Sequence, residues 1–194
     1  MNRTAHIRTA ARGLAGLAAG ATVLTSLLAG GSVASAAEPA AAPAAPAAAQ
    51  GAERCHTSEL QGRIETHDGD GYRVYAGLVV TNVGDRTCYM KGFPGVSYVA
   101  GDAGTQVGKP ADLVGPQGEA FPIAPGQRAS AELSIVPAET QDPATCKPVD
   151  ARGFRVYPPG ETAALFVPFG MPACSGTVDT PTGSQLGVKP FILR

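Results

Sequence analysis

The sequence lacks tryptophan, and histidine and cysteine are scarce among its 194 residues, with three and four copies. This scarcity bears first on metal binding. A zinc site needs clustered cysteines or histidines, and the cysteines nearest in sequence, Cys146 and Cys174, are 28 positions apart. Beyond residue 36, histidine occurs only at His56 and His67, which are isolated from one another. The sequence therefore predicts neither a metal site nor a bound cofactor.

An excess of basic charge is also missing. Residues 1–36 hold three of the 15 basic residues and none of the 16 acidic ones, so 12 basic residues face 16 acidic ones in the rest. No cluster of lysine and arginine interrupts this mildly negative balance. That pattern argues against nucleic acid and anionic lipid as partners. Charge alone does not identify a partner.

The patterns of a nucleophilic enzyme are absent as well. Ser97 follows Gly95 but lies in a strand-like segment, whereas a nucleophile elbow joins a strand to a helix. Because no histidine follows His67, a serine–histidine pair would have to use an upstream histidine. We therefore expect no catalytic residues.

One acidic stretch superficially resembles a calcium loop. Asp68-Gly-Asp-Gly71 begins like an EF-hand, which needs an oxygen ligand at its fifth position and an acid at its twelfth. Those two positions hold Tyr72 and Val79. The stretch predicts a hairpin turn instead.

The first segment has the features of an export signal. Arginines without any acid precede an apolar run at 14–29, and Ala34-Ser-Ala36 supplies the small residues of a signal peptidase site. We expect a signal peptide at 1–36, cleaved between Ala36 and Ala37. An uncleaved anchor is the alternative, although the run is short for a span of about 20 residues. No twin arginine and no lipid-attachment cysteine is present, so the expected product is secreted, without stable membrane insertion after cleavage.

Two regions follow the signal. Residues 37–52 are almost wholly alanine and proline and predict a disordered, extended linker, since prolines interrupt any helix the alanines could start. Residues 53–194 are enough for one domain with one hydrophobic core.

This domain has the alternation of an antiparallel sheet. Residues 128–135 place four apolar side chains on one face, with Arg128 and Glu132 on the other, and 73–81 has the same period of two. Further strands are expected at 154–157, 162–167 and 185–193. Turn residues separate these segments and no helical period is sustained. The pattern favours an immunoglobulin-like antiparallel β-sandwich, although the usual core tryptophan is missing.

Several motifs run in order through the domain. They are Leu78-Val-Val-Thr-Asn82, Thr87-Cys88, Gly92-Phe-Pro-Gly-Val96, Gly108-Lys-Pro-Ala111, Ile123-Ala-Pro-Gly126, Cys146-Lys-Pro-Val149, Phe154-Arg-Val-Tyr-Pro-Pro-Gly160 and Ala173-Cys174. In them the chain resembles the domain of unknown function 4232 (DUF4232) family of exported actinobacterial proteins and lipoproteins. The resemblance implies a β-sandwich and an extracellular address, and it brings no catalytic residues. Independently of it, Asn82-Val-Gly84 is expected to end a strand, since Asn and Gly tolerate left-handed backbone.

Four cysteines in an exported domain predict two disulfides rather than nucleophiles or metal ligands. Of the three possible connectivities we favour Cys55–Cys88 and Cys146–Cys174, which join neighbours in sequence. Cys174 would then fix the Gly/Pro-rich stretch that follows Phe169. A peptide linking Cys55 to Cys146 would contradict this pairing.

The aromatic residues give a weaker indication of function. Six of them gather on and beside two predicted strands: Tyr72, Tyr75, Tyr89, Phe93, Tyr98 and Tyr157. An aromatic platform would suit a glycan or a peptide, but core packing explains most such residues.

The predicted function is a secreted, noncatalytic binding or interaction module of the cell envelope. Its partner is unknown, with cell-wall glycan and a secreted protein as candidates. The first alternative is an exported protease inhibitor that presents the Pro-containing loop 140–146. The second is an uncharacterised extracellular enzyme that uses carboxylates.

Overall fold

The computed structural model of the protein describes residues 53–67 and 69–194. The predicted signal peptide at 1–36, its cleavage point between Ala36 and Ala37, and the predicted linker at 37–52 lie outside the described residues. In the described part of the chain, no helix has the length and apolar character needed to cross a bilayer.

The described residues form an all-β fold, which confirms the all-β part of the predicted fold class. The strands are β1 (Leu60–Thr66), β2 (Val74–Asn82), β3 (Cys88–Met90), β4 (Gly95–Ala100), β5 (Thr105–Val107), β6 (Asp112–Leu113), β7 (Phe121–Ile123), β8 (Arg128–Ile135), β9 (Pro148–Tyr157), β10 (Leu165–Cys174), β11 (Leu186–Val188) and β12 (Ile192–Leu193). One turn of α-helix, α1, covers Pro143–Cys146, and 3-10 turns cover Thr57–Glu59 and Ala138–Thr140.

Strand β8 shows how directly the alternation specifies a strand. It begins at Arg128 and ends at Ile135, as predicted. Its four alternate apolar residues, from Ala129 to Ile135, are fully buried, whereas Arg128 and Glu132 on the other face are exposed. One face of this strand therefore covers the core and the other faces outward.

The strands form three sheets. The largest has the order β1-β2-β8-β11-β6, and β12 also pairs with β8. Its pairs are antiparallel except for β11 with β6. The second sheet has the order β10-β9-β4-β5, and β3 pairs with β7 in the third.

A single hydrophobic cluster receives side chains from these three sheets. Leu133 comes from β8, Phe154 from β9 and Ile123 from β7, and each is fully buried. The Phe154 ring centroid lies 4.8 Å from that of Tyr98 and 5.6 Å from that of Phe169. Burial of a side chain of this size stabilises the fold by about 1.5–3 kcal/mol, so this cluster holds the sheets together.

Two disulfides crosslink distant segments of the domain. Cys55 is bonded to Cys88 with a Cα–Cα distance of 4.8 Å, and Cys146 to Cys174 with a distance of 4.6 Å. These are the two pairs favoured from the sequence, in which each cysteine bonds to a cysteine that neighbours it in the chain. The first disulfide lies in the main cluster. The second forms a smaller cluster with Val136, Ala138 and Val178.

The closing strand expected at 185–193 is interrupted, which corrects the prediction of one continuous strand. Strands β11 and β12 both pair with β8, but the chain leaves the ladder between them. Pro190 has no backbone N–H to donate, and Phe191 turns away from β8, with its N–H donating to Gly92 O at 3.0 Å. The break buries the Phe191 side chain in the main cluster.

The strand expected at 162–167 also differs in its bounds. Strand β10 begins later, at Leu165, and continues to Cys174 through the Gly/Pro-rich stretch, for which the alternation predicts no strand. A bulge between Pro168 and Met171 absorbs the irregularity. Because β10 is an edge strand, its prolines remove no hydrogen bond on the open side. The strand expected at 154–157 is the end of the longer β9.

Candidate functional site

The outer face of the six-stranded sheet presents a row of contrasting side chains. Strand register aligns Tyr75 with Ser134, Ser134 with Gly187, and Gly187 with Asp112. The row crosses four strands and is therefore roughly 14 Å long, given a strand spacing of about 4.8 Å. A tyrosine ring, a serine hydroxyl, a glycine and an aspartate carboxylate thus follow one another across the sheet.

The next row on the same face is charged. Gly77 is aligned with Glu132 on one side and Glu65 on the other. The Lys189 backbone N–H donates to Glu132 O at 2.9 Å, and its Nζ lies 2.8 Å from Glu132 Oε1. This pair places one cation and one anion next to the first row.

Two glycines lie on this face, and neighbouring side chains come close to both. A Cβ at Gly187 would lie 2.6 Å from Ser134 Oγ and 3.2 Å from a methyl of Val114, so a side chain there would displace its neighbours. A Cβ at Gly77 would lie 3.2 Å from His67 Nε2, the far end of an exposed side chain. A side chain at Gly77 could therefore occupy the open space if His67 moved.

The space above this face of the sheet forms a trough that we call the outer groove. It consists of two adjoining depressions of about 420 and 490 Å³, which share Val114, Glu132 and Lys189. The larger depression is mainly apolar and includes Pro116 and Ile192. The smaller one, the Tyr75 end of the groove, is mixed in polarity. It is lined by Arg73, Tyr75, Asp112, Ser134, Thr180 and Thr182, among others.

An ion pair between Glu65 and Arg194 borders the apolar end of the groove. The Glu65 carboxylate accepts hydrogen bonds from Arg194 and from Arg63 Nε at 3.2 Å, and the Arg194 contact lowers the pKa of Glu65 most. Glu65 lies on β1 and Arg194 follows β12, so their contact spans β2 and β8. On this outer face of β2, Val79 is fully buried. Arg194 itself lines the apolar depression, so this ion pair forms part of its border.

The β1–β2 turn fixes the aromatic end of the groove. Asp70 Oδ1 accepts the backbone N–H of Arg73 at 2.7 Å and of Tyr72 at 3.0 Å, and Oδ2 accepts the Tyr75 hydroxyl at 2.9 Å. The Arg73 N–H contributes most to lowering the pKa of Asp70. The predicted hairpin turn thus has a specific task, because it immobilises the Tyr75 ring. Asp68 lies outside the described residues.

A second polar cluster surrounds His56 beside the first disulfide. His56 Nε2 lies 3.0 Å from Glu53 Oε1, and Nδ1 lies 3.3 Å from Glu161 Oε1. Arg86 contacts the same segment through Glu59, with a Nε–Oε1 distance of 2.6 Å. Neutral imidazole has one N–H and the imidazolium has two, so only the charged form can donate to both carboxylates. Hydrogen bonding to Glu53, followed by that to Glu161, raises the pKa of His56 above 6.5.

The His56 cluster predicts a pH dependence of stability. Because the folded-state pKa of His56 is raised, the stabilisation from its two contacts is complete below the unfolded value of 6.5 and is lost as pH rises through the folded value. We expect NMR titration of the imidazole to give a pKa above 6.5, and the melting temperature to fall over this window. His56→Gln should remove that fall, whereas His67→Gln should retain it. A His56 pKa at or below 6.5 would contradict the prediction.

The other residues considered from the sequence do not assemble into a site. Ser97 is buried in β4, opposite Arg155. Among the six aromatics, Tyr98 is a core residue, whereas Tyr72 and Tyr157 are exposed. The aromatic ring pairs of the described chain are Tyr98–Phe154 and Phe154–Phe169. In residues 53–67 and 69–194, no three His, Cys, Asp or Glu side chains are arranged to hold a metal ion.

The loop considered for protease inhibition has a different conformation from the one that role requires. Residues Ala138–Thr140 form a 3-10 turn and Pro143–Cys146 form α1. Asp142 caps this helix by accepting the Ala144 N–H at 3.0 Å. A substrate-like inhibitory loop needs extended backbone, and most of this segment is helical.

Sequence reasoning identified the outward side chains of β8 but not the groove. The alternation places Ser134 and Glu132 on the polar face, yet the neighbours that complete the site, Gly187 and Asp112, come from short strands with no period of their own. Their register is a tertiary property. A glycine inside a strand, as at Gly77 and Gly187, is the local signal that could have pointed to it.

Comparison with known proteins identifies a family for the chain. A model of a domain of unknown function, DUF4232, matches residues 55–192, which include both disulfides and every strand except the last residue of β12. Neither the curated proteins nor the solved structures give a significant match. The match extends over more than half of the chain, so the chain belongs to the DUF4232 family.

Proposed function

We propose that this domain is a noncatalytic, extracellular binding module of the cell envelope, and that the outer groove is its binding surface. The observation that carries the proposal is the groove itself: side chains of different chemistry are fixed on strands β2, β8, β11 and β6 around two adjoining depressions. Rigid strands hold such groups more precisely than loops do, which suits recognition.

Two further features support an extracellular location and a sandwich architecture. Disulfides such as Cys55–Cys88 and Cys146–Cys174 persist mainly in oxidising compartments, in keeping with the predicted export signal. The six-stranded and four-stranded sheets share one core, which favours an immunoglobulin-like β-sandwich. We therefore assign the groove to the solvent side of one sheet of that sandwich.

The noncatalytic assignment rests on how the charged groups of the groove are used. Lys189 pairs with Glu132, and the Thr182 hydroxyl donates to Asp112. Within the described chain, no serine or threonine of the groove donates to a histidine, the arrangement that activates a nucleophile. These contacts favour orientation of a ligand over attack on it.

Co-sedimentation with an insoluble envelope fraction of the producing cells tests the proposal. We expect the oxidised domain to sediment with the envelope, and Gly77→Val to reduce the bound fraction by roughly tenfold, or about 1.4 kcal/mol of binding free energy. Valine suits a strand and would fill the groove at the cost of moving the exposed His67 side chain.

Thr105→Val is the matched control, because it places the same side chain at an exposed position of β5 in the other sheet. Both variants should keep the circular dichroism spectrum of the wild type. Equal sedimentation of the wild type and Gly77→Val would overturn the groove as the binding surface. No sedimentation of the wild type would overturn the envelope-binding function.

A further inference from the structure

The charges at the Tyr75 end of the groove are balanced. Arg73 and Lys189 are opposed by Asp112 and Glu132 around the same depression. An anionic ligand would meet two carboxylates, and a cationic ligand would meet a guanidinium and an ammonium group. A ligand without net charge avoids both repulsions.

The same groups form a mixed set of donors and acceptors. Arg73 and Lys189 only donate hydrogen bonds and the carboxylates only accept them. The Ser134 hydroxyl can do both, while those of Thr180 and Thr182, which donate to Ser184 O and to Asp112, can accept. A ligand complementary to all of them must offer donors and acceptors at short intervals. Polyhydroxylated molecules have this property, because each hydroxyl donates one hydrogen bond and accepts others.

The Tyr75 ring adds a flat apolar surface at one end. Its hydroxyl is engaged by Asp70 at 2.9 Å, so the ring is held in place while part of it remains accessible. The C–H groups on one face of a sugar ring pack well on such an aromatic surface. The depression, at about 420 Å³, is within the range of small-ligand sites, about 300–1,000 Å³.

The position of the groove disfavours a peptide added as a strand. The groove lies on the face of the sheet, where the backbone groups of β2 and β8 are already paired with each other. Strand addition requires the free backbone groups of an edge strand. Recognition over β2 and β8 must therefore use side chains, and β6, the edge strand at the other end, has only the two residues Asp112–Leu113 to offer for strand addition.

We infer that the Tyr75 end of the outer groove binds a neutral saccharide, with one sugar ring on Tyr75 and its hydroxyls shared among Ser134, Glu132 and Asp112. The inference rests on the proposed function and specifies its ligand class. It treats Arg73 and Lys189 as hydrogen-bond donors rather than as an anion site.

Titration with defined tetrasaccharides, followed by NMR or calorimetry, tests the inference. The neutral probes are tetrasaccharides of glucose, mannose, arabinose and N-acetylglucosamine. The charged probes are tetragalacturonate and the glucosamine tetramer, which differs from its N-acetylated counterpart in charge. We expect at least one neutral probe to bind, and to bind more tightly than either charged probe.

Three variants connect that binding to the groove. Tyr75→Ala should weaken it by roughly tenfold or more, and Ser134→Val should weaken it by loss of a hydroxyl and intrusion of a methyl group. Glu132→Gln should shift the preference instead, increasing the affinity for tetragalacturonate relative to the glucosamine tetramer, because one negative charge is removed. Thr105→Val is the control and should bind as the wild type does.

The outcomes separate the ligand class from the function. The inference is overturned if no neutral tetrasaccharide binds at millimolar concentration, if a charged probe binds most tightly, or if Tyr75→Ala and Ser134→Val, both folded, bind unchanged. In any of these cases the domain can still sediment with the envelope fraction, and sediment less as Gly77→Val. The proposed binding function then stands, and only the saccharide assignment fails.

Discussion

Replacing Cys55 and Cys88 together with alanine is expected to lower the free energy of unfolding by roughly 3–4 kcal/mol, from the entropy of the loop they close. Their separation in sequence is 33 residues. Without the bond, hydrogen bonds still hold residues 53–55: the Cys55 N–H donates to Tyr89 O at 3.1 Å, the Tyr89 N–H to Glu53 O at 3.1 Å, and Arg86 Nη2 to Arg54 O at 2.8 Å. Urea unfolding measures the loss, which corresponds to a melting temperature lower by roughly 10 °C.

Alanine at Cys146 and Cys174 is the matched comparison. This pair closes a loop of similar length, with a separation of 28, and should lower stability by a similar amount. The two double variants should differ in a local readout. Only the Cys55/Cys88 variant should shift the NMR titration of His56, which adjoins Cys55. A loss below about 1 kcal/mol for both pairs would contradict the entropic account.

The sequence allows the strands with strong alternation to be predicted, and the reason is visible in β8. Each of its core-facing residues is apolar and each outward one is polar or charged, so local composition and tertiary burial agree. Strand β10 is harder to predict, because it contains proline and glycine at Pro168, Gly170 and Pro172, and these residue types are typical of turns. They are accommodated only because the strand lies at a sheet edge and contains a bulge.

The candidate site depends on contacts that no local pattern encodes. His56 and Glu161 are 105 positions apart, and their contact exists only once the sheets have formed. Gly187 lies in a three-residue strand, where the sequence shows a glycine but not which side chains surround it. Its neighbours Ser134 and Asp112 come from β8 and β6, so the groove is a product of register across three strands.

The Asn82 motif shows a prediction that was right in position and wrong in cause. Strand β2 ends at Asn82, as expected, but neither Asn82 nor Gly84 has a positive φ. Instead the Asn82 side chain is buried and makes three hydrogen bonds. Its Nδ2 donates to Arg86 O at 2.8 Å and to Ile123 O at 2.9 Å, and its Oδ1 accepts the Gly84 N–H at 2.9 Å. The amide therefore joins β2, the following turn and β7.

Substitution of Asn82 is accordingly expected to have the second large effect. Asn82→Ala should lower the free energy of unfolding by roughly 3 kcal/mol, since three hydrogen bonds are lost at about 1 kcal/mol each and their partners are left buried or partly buried. Asn82→Asp has the same shape but replaces the donating NH₂ group with an oxygen facing two carbonyl oxygens. At neutral pH it should be at least as destabilising as alanine, by roughly 3–5 kcal/mol.

The pH dependence of Asn82→Asp distinguishes this role from simple space filling. Burial and the two carbonyls would raise the folded-state pKa of the introduced carboxyl group above its unfolded value of about 3.9, so the folded variant binds the proton more tightly. Its deficit relative to the wild type should therefore shrink as pH falls through the folded pKa to about 4, where the protonated acid can donate to one carbonyl. The difference from the wild type is the relevant quantity at each pH, because both proteins lose the stabilisation from Asp70, whose pKa is lowered. A deficit that stays constant between neutral pH and about 4 would show that hydrogen-bond donation by Asn82 is not what holds these three segments together.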